Sequence, residues 1–236
     1  MMKRFLAIDT TGDFCSLALK EGDRVFQVHE RMPRQHAKQV LPQLERLFSE
    51  AGWSKTSLDA VVYGRGPGSF TGIRIAAGVA QGIALGAGCG VIPVSTLQTL
   101  AIEAAHLNPQ AARVWVALDA RMSELYFACY RVEHGLPVQV GEEALITCDL
   151  LPEVMDEQGL VLAGNGWLTD YGFRDEWVTR LTRQDISPTL PGAVWGATLA
   201  EVLLEQDASV LVSPEFALPV YLRDKVTWDK KPRVGE

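Results

Sequence analysis

The stretch Tyr63 to Gly78, YGRGPGSFTGIRIAAG, is the first place where residue types and spacing could do chemistry. Gly64, Gly66, Gly68 and Gly72 surround Pro67 directly after the apolar run Ala60-Val61-Val62. Glycines permit positive φ and close backbone approach, and a helix starting near Gly72 would offer unpaired N–H groups to an anion. Neither standard phosphate fingerprint fits. A Walker A loop needs G-x-x-x-x-G-K-[ST], and no glycine pair here has that separation with a following lysine. The G-x-G-x-x-G spacing fails because Ser69 or Thr71 stands at the third glycine position. A tight strand-to-helix connection formed by Gly66, Pro67, Gly68, Ser69, Thr71 and Gly72, with Ser69 and Thr71 available as caps, uses the same residues more simply.

The other candidate tools are sparse. Asp9, followed by Thr10 and Thr11, ends one apolar segment and Asp119 ends another. Two strand-end carboxylates could hold Mg²⁺ near a ligand phosphate, as in two-lobed kinases. The turn after Asp119, ARMSE, has no glycine to admit a phosphate, so Asp119 equally well braces its own turn or pairs with Arg121. The four histidines, His29, His36, His106 and His134, never fall at i and i+4, which removes the commonest helical metal clip. No G-x-S-x-G elbow occurs, and no nucleophile–base pair or metal clip supports a protease. Cys15, Cys89, Cys129 and Cys148 form no C-x-x-C pair, which fits reduced thiols in a cytosol. No catalytic residue, metal ligand set or cofactor is therefore assigned.

The elements that must position these residues read as α/β. Phe5 to Ile8, Phe14 to Leu19 and Val25 to Val28 form a three-strand meander. Ala37, Val40, Leu41, Leu44, Leu47, Phe48 and Ala51 then fall at helical spacing, ending at Gly52, with Pro42 implying a kink or a late start. Val61 to Tyr63 supplies a strand, Ile73 to about Leu85 a helix, Val91 to Val94 a strand, and Ser95 to about Ala105 a helix capped by Ser95. The segment Ile75 to Ile102 carries no charge and is long enough to span a bilayer, but its glycines, glutamines and Pro93 make it a buried helix–strand–helix instead. VWVALDARMSELYFACY then repeats the strand, aspartate, turn, strand order of FLAIDTTGDFCSLAL 110 positions later. Two strand-end aspartates also arise without duplication, so this pattern alone leaves both readings open. Leu160 to Ala163 reads as a strand leading into GNG, Ala193 to Leu204 as a helix, and the final DKKPRVGE as a frayed end.

At 236 residues and 47% hydrophobic, the chain can bury a core of one large domain or two lobes. The net charge of −7 argues against holding nucleic acid mainly through its own phosphate contacts, so any RNA it serves is gripped by another chain. The N-terminus reaches Asp9 after four apolar residues, far short of a signal-peptide core, and a cytoplasmic protein with no membrane span is expected. The helix from Ile73 is unusual. Gly78, Gly82 and Gly86 recur every four residues and Ala76, Ala80 and Ala84 form an adjacent stripe, although each interior glycine costs roughly 1 kcal/mol relative to alanine. Small faces admit a close neighbour, either the chain's own sheet or first helix, or a partner's helix.

Taken together, LAIDTTGDFCSLAL, YGRGPGSFTGIRI, VSTLQTLA, DARMSELY, AGNGW and PVYLRDKVTW closely resemble the TsaB family, also called YeaZ. The resemblance runs over nearly the whole chain and is densest in the first 130 residues. It implies an α/β fold of two related lobes in the actin, Hsp70 and sugar kinase (ribonuclease H-like) class, with mixed sheets flanked by helices. Residues 1–108 would form the N-terminal lobe and 109–236 the C-terminal lobe. The implied role is formation of N6-threonylcarbamoyladenosine at position 37 of tRNAs reading codons that start with A. In that role the protein is a non-catalytic partner and scaffold of TsaD, with TsaE joining the complex, a homodimer forming in TsaD's absence, and tRNA touched only indirectly. The first-lobe helices would form the interface, through His36, Val40, Leu44, Ile75, Gly78, Val79, Gly82, Ile83 and Gly86. TsaD proteins hold a metal through a helical histidine pair; the matching helix here has His36 but no second histidine from Lys38 to Leu41. Asp9, Thr10, Thr11 and Asp119 would be a vestigial ligand site. Many relatives carry glycine after DARM where this chain has Ser123. The competing expectation is a Mg-nucleotide-dependent phosphotransferase or ATPase built around Asp9 and Asp119.

Overall fold

A computed structural model of the chain describes residues 2–153, 158–182 and 186–223. The first sheet is made by β1 (Arg4–Asp9), β2 (Phe14–Glu21), β3 (Arg24–Arg31), β4 (Ala60–Gly66) and β5 (Gly90–Ser95), in the order β3-β2-β1-β4-β5. The β1–β2–β3 meander is antiparallel, while β4 joins β1 and β5 joins β4 in parallel. β1 and β4 are buried on both faces, and their alternating side chains point to two different cores. Leu6, Ile8, Val61 and Tyr63 pack with α1 (His36–Ala51) and α2 (Phe70–Ala87). Phe5, Ala7, Ala60 and Val62 pack on the opposite face with α5 (Ala193–Gln206).

α1 buries Val40, Leu44, Leu47, Phe48 and Ala51 and stops at Gly52, whose φ of 67° closes the helix with N–H bonds to the last carbonyls. The helix runs unbroken past Pro42, so the late start is excluded. Pro42 and Lys38, the residue whose carbonyl it leaves unpaired, both lie on the exposed side, so the lost hydrogen bond strands no residue in the core. α2 is capped by Ser69, whose hydroxyl accepts from the Gly72 N–H at 3.3 Å; Thr71 is an exposed first-turn residue and caps nothing. α3 (Thr96–Leu107) is capped as expected by Ser95, which accepts from Leu97 at 3.1 Å and Gln98 at 3.3 Å.

The second sheet repeats the first. β6 (Arg113–Asp119), β7 (Glu124–Glu133), β8 (Leu136–Thr147) and β9 (Leu160–Ala163) are ordered β8-β7-β6-β9, with the same antiparallel meander and a parallel last pair. Duplication, left open by the sequence, is therefore the architecture: the fold is the two-lobed α/β class with mixed sheets. α4 (Asp175–Leu181), unforeseen from the sequence, brings Trp177 onto Trp115 and Trp167, the latter stacked at a 4.9 Å centroid distance. Burial of these large rings fixes the outer face of the second sheet.

A boundary at 108 divides the strands but not the helices. α3 precedes that boundary, yet Leu97, Leu100, Ala101, Ala104 and Ala105 pack on the second sheet. α5 follows it, yet packs on the first, and the chain then bridges Val212 to Val91 and donates Val220 N–H to the Arg65 carbonyl at 2.8 Å. The reason is that α3 is apolar nearly all round and must be covered on both sides, with Ile102 turned toward the first lobe's core. The frayed end expected for DKKPRVGE lies outside the described residues.

Candidate functional site

The glycine loop is held by the turn between β1 and β2. Ser69 N–H donates to the Thr11 carbonyl at 2.7 Å, and the Thr10 hydroxyl donates to the Gly72 carbonyl at 2.7 Å. A Cβ on Gly72 would stand 1.9 Å from the Thr10 oxygen, on Gly68 2.6 Å from the Thr11 oxygen, and on Gly64 2.4 Å from Asp9 Oδ2. Gly66 combines a φ of 105° with a Cβ position 2.9 Å from the Val220 oxygen. The close approach that these glycines permit is thus occupied by the chain's own backbone.

The two strand-end aspartates make the same local turn, each accepting from the N–H two residues on: Asp9 Oδ1 from Thr11 at 2.9 Å and Asp119 Oδ1 from Arg121 at 2.8 Å. Asp9 is fully buried, takes a second bond from the Thr11 hydroxyl at 2.7 Å, and turns its other oxygen to Gly64. Burial pushes its pKa up to about 6 against the pull of the Thr11 bonds. Asp119 accepts the Tyr171 hydroxyl at 2.6 Å and pairs with the Arg121 guanidinium at 3.2 Å, the pairing expected from the sequence. Both carboxylates therefore brace turns, and neither presents a free pair of oxygens to a Mg-nucleotide. The turn after Asp119 places Arg121, Met122 and Ser123 at φ of 63°, 57° and 59°, a left-handed run without glycine. Such a conformation costs about 1–2 kcal/mol per non-glycine residue. Arg223 holds it, donating to the Ala120 carbonyl at 2.9 Å and pairing with Glu124 at 2.5 Å.

These turns border a cleft between the lobes of roughly 1190 Å³, lined also by His36, the start of α2, and residues 190–191 and 220–223. His36 opens α1 and is buried, its Nε2 without a hydrogen-bond partner, and Val40 occupies the position one turn on. No cluster of three or more His, Cys, Asp or Glu suited to a metal occurs among the described residues.

The residues expected at a partner interface fall into two groups. Val40 and Leu44 are buried in the monomer, 1% and 2% exposed, because the apolar stripe of α1 packs on its own sheet, and His36 is buried at the cleft lining. Ile75, Val79 and Ile83 are half-buried against the same core. Gly78, Gly82 and Gly86 lie outward, and a Cβ on any of them would meet nothing within 4 Å. The alanine stripe, Ala76, Ala80 and Ala84, is the inward one. α2 is long and apolar enough by composition alone to cross a membrane, but this alanine face is packed on β4 and the first core.

Two arrangements escaped sequence reasoning because their members are far apart in the chain. Glu143 on β8 accepts from the Ser95 hydroxyl and pairs with Arg65 at 3.4 Å, tying the second sheet to the ends of β4 and β5. His29 Nδ1 lies 2.9 Å from the Ser16 hydroxyl, a serine–histidine pair that strand register alone could have suggested, since Ser16 and His29 are cross-strand partners. Ser16 is buried and its oxygen also accepts the Ala193 N–H at 2.8 Å, so the pair ties β2 and β3 to the start of α5. Burial lowers the His29 pKa by disfavouring the charged imidazolium.

The family model TsaD, tRNA N6-adenosine threonylcarbamoyltransferase, matches residues 28–163. The tRNA threonylcarbamoyladenosine biosynthesis protein TsaB of Escherichia coli (strain K12) is 41% identical over 97% of this chain and 98% of its own length. The TsaB protein of Haemophilus influenzae is 36% identical over 96% of each chain. The solved structure of YeaZ from Pseudomonas aeruginosa superposes with a TM-score of 0.80 at 36% identity, covering 94% of this chain and 100% of that one.

Proposed function

The chain belongs to the TsaB family of tRNA threonylcarbamoyladenosine biosynthesis proteins, and from that premise we propose that it serves the pathway as a non-catalytic scaffold docked on a TsaD threonylcarbamoyltransferase. The observation that carries this reading is the outward glycine stripe of α2. Three helical glycines with no Cβ contact weaken the isolated helix by up to about 1 kcal/mol each and do nothing for the monomer's packing. A helix from another chain can approach that stripe closely, which offsets the cost only in the complex. Exposed Leu41 on α1 and Leu85 on α2 add apolar surface to the same lobe. Ile75, Val79 and Ile83 would shape the edge of this contact from their half-buried positions.

In this reading Asp9, Thr10, Thr11 and Asp119 are structural remnants of a ligand-binding scaffold. Recruitment of TsaE to the larger complex, a homodimer through the same face when TsaD is absent, and a cytoplasmic location complete the proposal. Against the phosphotransferase alternative stands the use of Asp9 Oδ1 and of both Asp119 oxygens within or beside their own turns. Mixing the purified chain with its organism's TsaD and measuring mass by size-exclusion chromatography with light scattering tests the reading. A stable hetero-complex that supports tRNA modification with TsaE and the threonylcarbamoyl-adenylate synthase is expected. A chain that ignores TsaD under all nucleotide conditions, or that turns over substrate alone, overturns it.

A further inference from the structure

At the mouth of the interlobe cleft the start of α2 meets the segment that returns from α5. Phe70 and Tyr221 remain 52% and 41% exposed there, with ring centroids 5.8 Å apart. The Arg74 guanidinium carbon sits 3.4 Å from the Phe70 centroid and 5.1 Å from that of Tyr221. All three line the cleft. Large aromatic rings are left half in water only at a cost, and neither belongs to any of the buried cores.

The charge around this platform runs against that of the whole chain. Four arginines, Arg34, Arg74, Arg121 and Arg223, and two aspartates, Asp13 and Asp119, line a cleft in a protein of net charge −7. Arg121 is paired with Asp119 and Arg223 with Glu124, and Asp13 is taken by Arg31. Among the described residues no carboxylate pairs with Arg34 or Arg74, so these two guanidinium groups are left for an anionic partner. The glycine loop and the aspartates are closed against a free nucleotide's phosphates, and a cleft of roughly 1190 Å³ exceeds the usual range for a small-molecule pocket. An open, positive cleft carrying a planar cation between two exposed rings matches unpaired RNA, whose bases stack on aromatic and guanidinium planes while phosphates meet arginine.

We propose that Phe70, Arg74 and Tyr221 form a stacking platform for an unpaired base of the substrate tRNA's anticodon loop, with Arg34 and Arg74 facing its backbone. This contact rests on the assignment to tRNA modification, goes beyond the scaffold role and departs from the expectation that tRNA is touched only indirectly. It supplements the grip of the partner chain, since one stacked base and two cations cannot hold a tRNA alone.

The test uses the complex of the full chain with TsaD and an anticodon stem-loop RNA carrying 2-aminopurine at one unpaired loop position after another. Quenching of one loop position on binding, with affinity lowered about tenfold by Tyr221→Leu or Phe70→Leu and retained by Tyr221→Phe, is the expected result. Arg74→Gln should weaken binding and flatten its salt dependence. Light scattering on every variant separates the two layers of the argument. Loss of the hetero-complex in Phe70→Leu or Tyr221→Leu would show the patch to be a protein contact and overturn the platform. Intact complexes with unchanged RNA affinity and no quenching overturn it as well, while leaving the scaffold role standing. A wild-type chain that forms no hetero-complex refutes the scaffold role instead; stem-loop RNA titrated into the chain alone to a concentration high enough for weak binding then supports the platform if Tyr221→Leu abolishes a loop-position quench and overturns it if no quench occurs.

Discussion

Replacing Gly78, Gly82 and Gly86 together with alanine should make the isolated chain more stable and its complex weaker. A methyl at each site enters open space in the monomer, with nothing within 4 Å. The full helix-interior difference between glycine and alanine, about 1 kcal/mol, applies at Gly78 and Gly82. Gly86 lies in the last turn before the Gly88 cap and contributes less, for a total of roughly 2 kcal/mol. For a chain of this length each kcal/mol moves the midpoint by roughly 2–4 °C, so Tm should rise by about 4–8 °C. Those methyl groups separate a docked helix from α2, and overpacking of this kind costs about 1–3 kcal/mol, so TsaD affinity should fall at least about fivefold. Circular dichroism melts at a concentration where light scattering reports monomer, paired with calorimetric titration of TsaD, measure both effects. A lower Tm would mean that the face is covered within the monomer. A higher Tm with unchanged affinity would refute the docking role of the stripe.

Gly72→Ala, the same chemical change in the first turn of the same helix, should have the opposite sign, losing about 1–3 kcal/mol in denaturant unfolding because its Cβ meets the Thr10 carbonyl at 1.9 Å. Ser123→Gly should raise stability by about 1 kcal/mol in the same assay, since it relieves one left-handed residue at φ 59°. Leu44→Ala should cost about 2–5 kcal/mol of monomer stability, whereas Leu41→Glu, at a position 55% exposed, should leave the melt nearly unchanged and act on association by light scattering. Asp9 titrates near 6 when folded against 3.8 ordinarily, so the native state holds the extra proton and stability falls as pH rises between those values. Its share is on the order of 3 kcal/mol by pH 7, and Asp9→Asn should remove that part of the slope in denaturant midpoints measured from pH 4 to 7. An unchanged slope in Asp9→Asn would show that Asp9 is ionised at no such cost.

Much of the fold was legible in the sequence because the signals are local. The meander, α1 with its Gly52 stop, α2, α3 with its Ser95 cap and the repeated aspartate turn all rest on periodicity, capping and turn chemistry within a few residues. The glycine loop was recognisable as a strand-to-helix connection for the same reason. Which face of each helix meets solvent was not legible. Val40 and Leu44 repeat at a spacing equally suited to a partner or to the chain's own sheet, and the sheet wins because it is always present. The alanine and glycine stripes of α2 have the same period, and only packing shows that alanine turns inward.

The sequence by itself determined the element order of the first lobe and the family, since these depend on patterns carried within short windows or along the whole chain, whereas it left the duplication open and did not show β8 or α4. Tertiary structure alone decided what the glycines touch, that α3 and α5 cross between lobes, and that Arg65, Ser95 and Glu143 meet at the junction. It also decided that Asp9 and Asp119 brace turns and that Phe70, Arg74 and Tyr221 converge at one cleft mouth. The physical reason is that contacts between residues tens to hundreds of positions apart are set by how sheets and helices stack, and no local propensity encodes that distance.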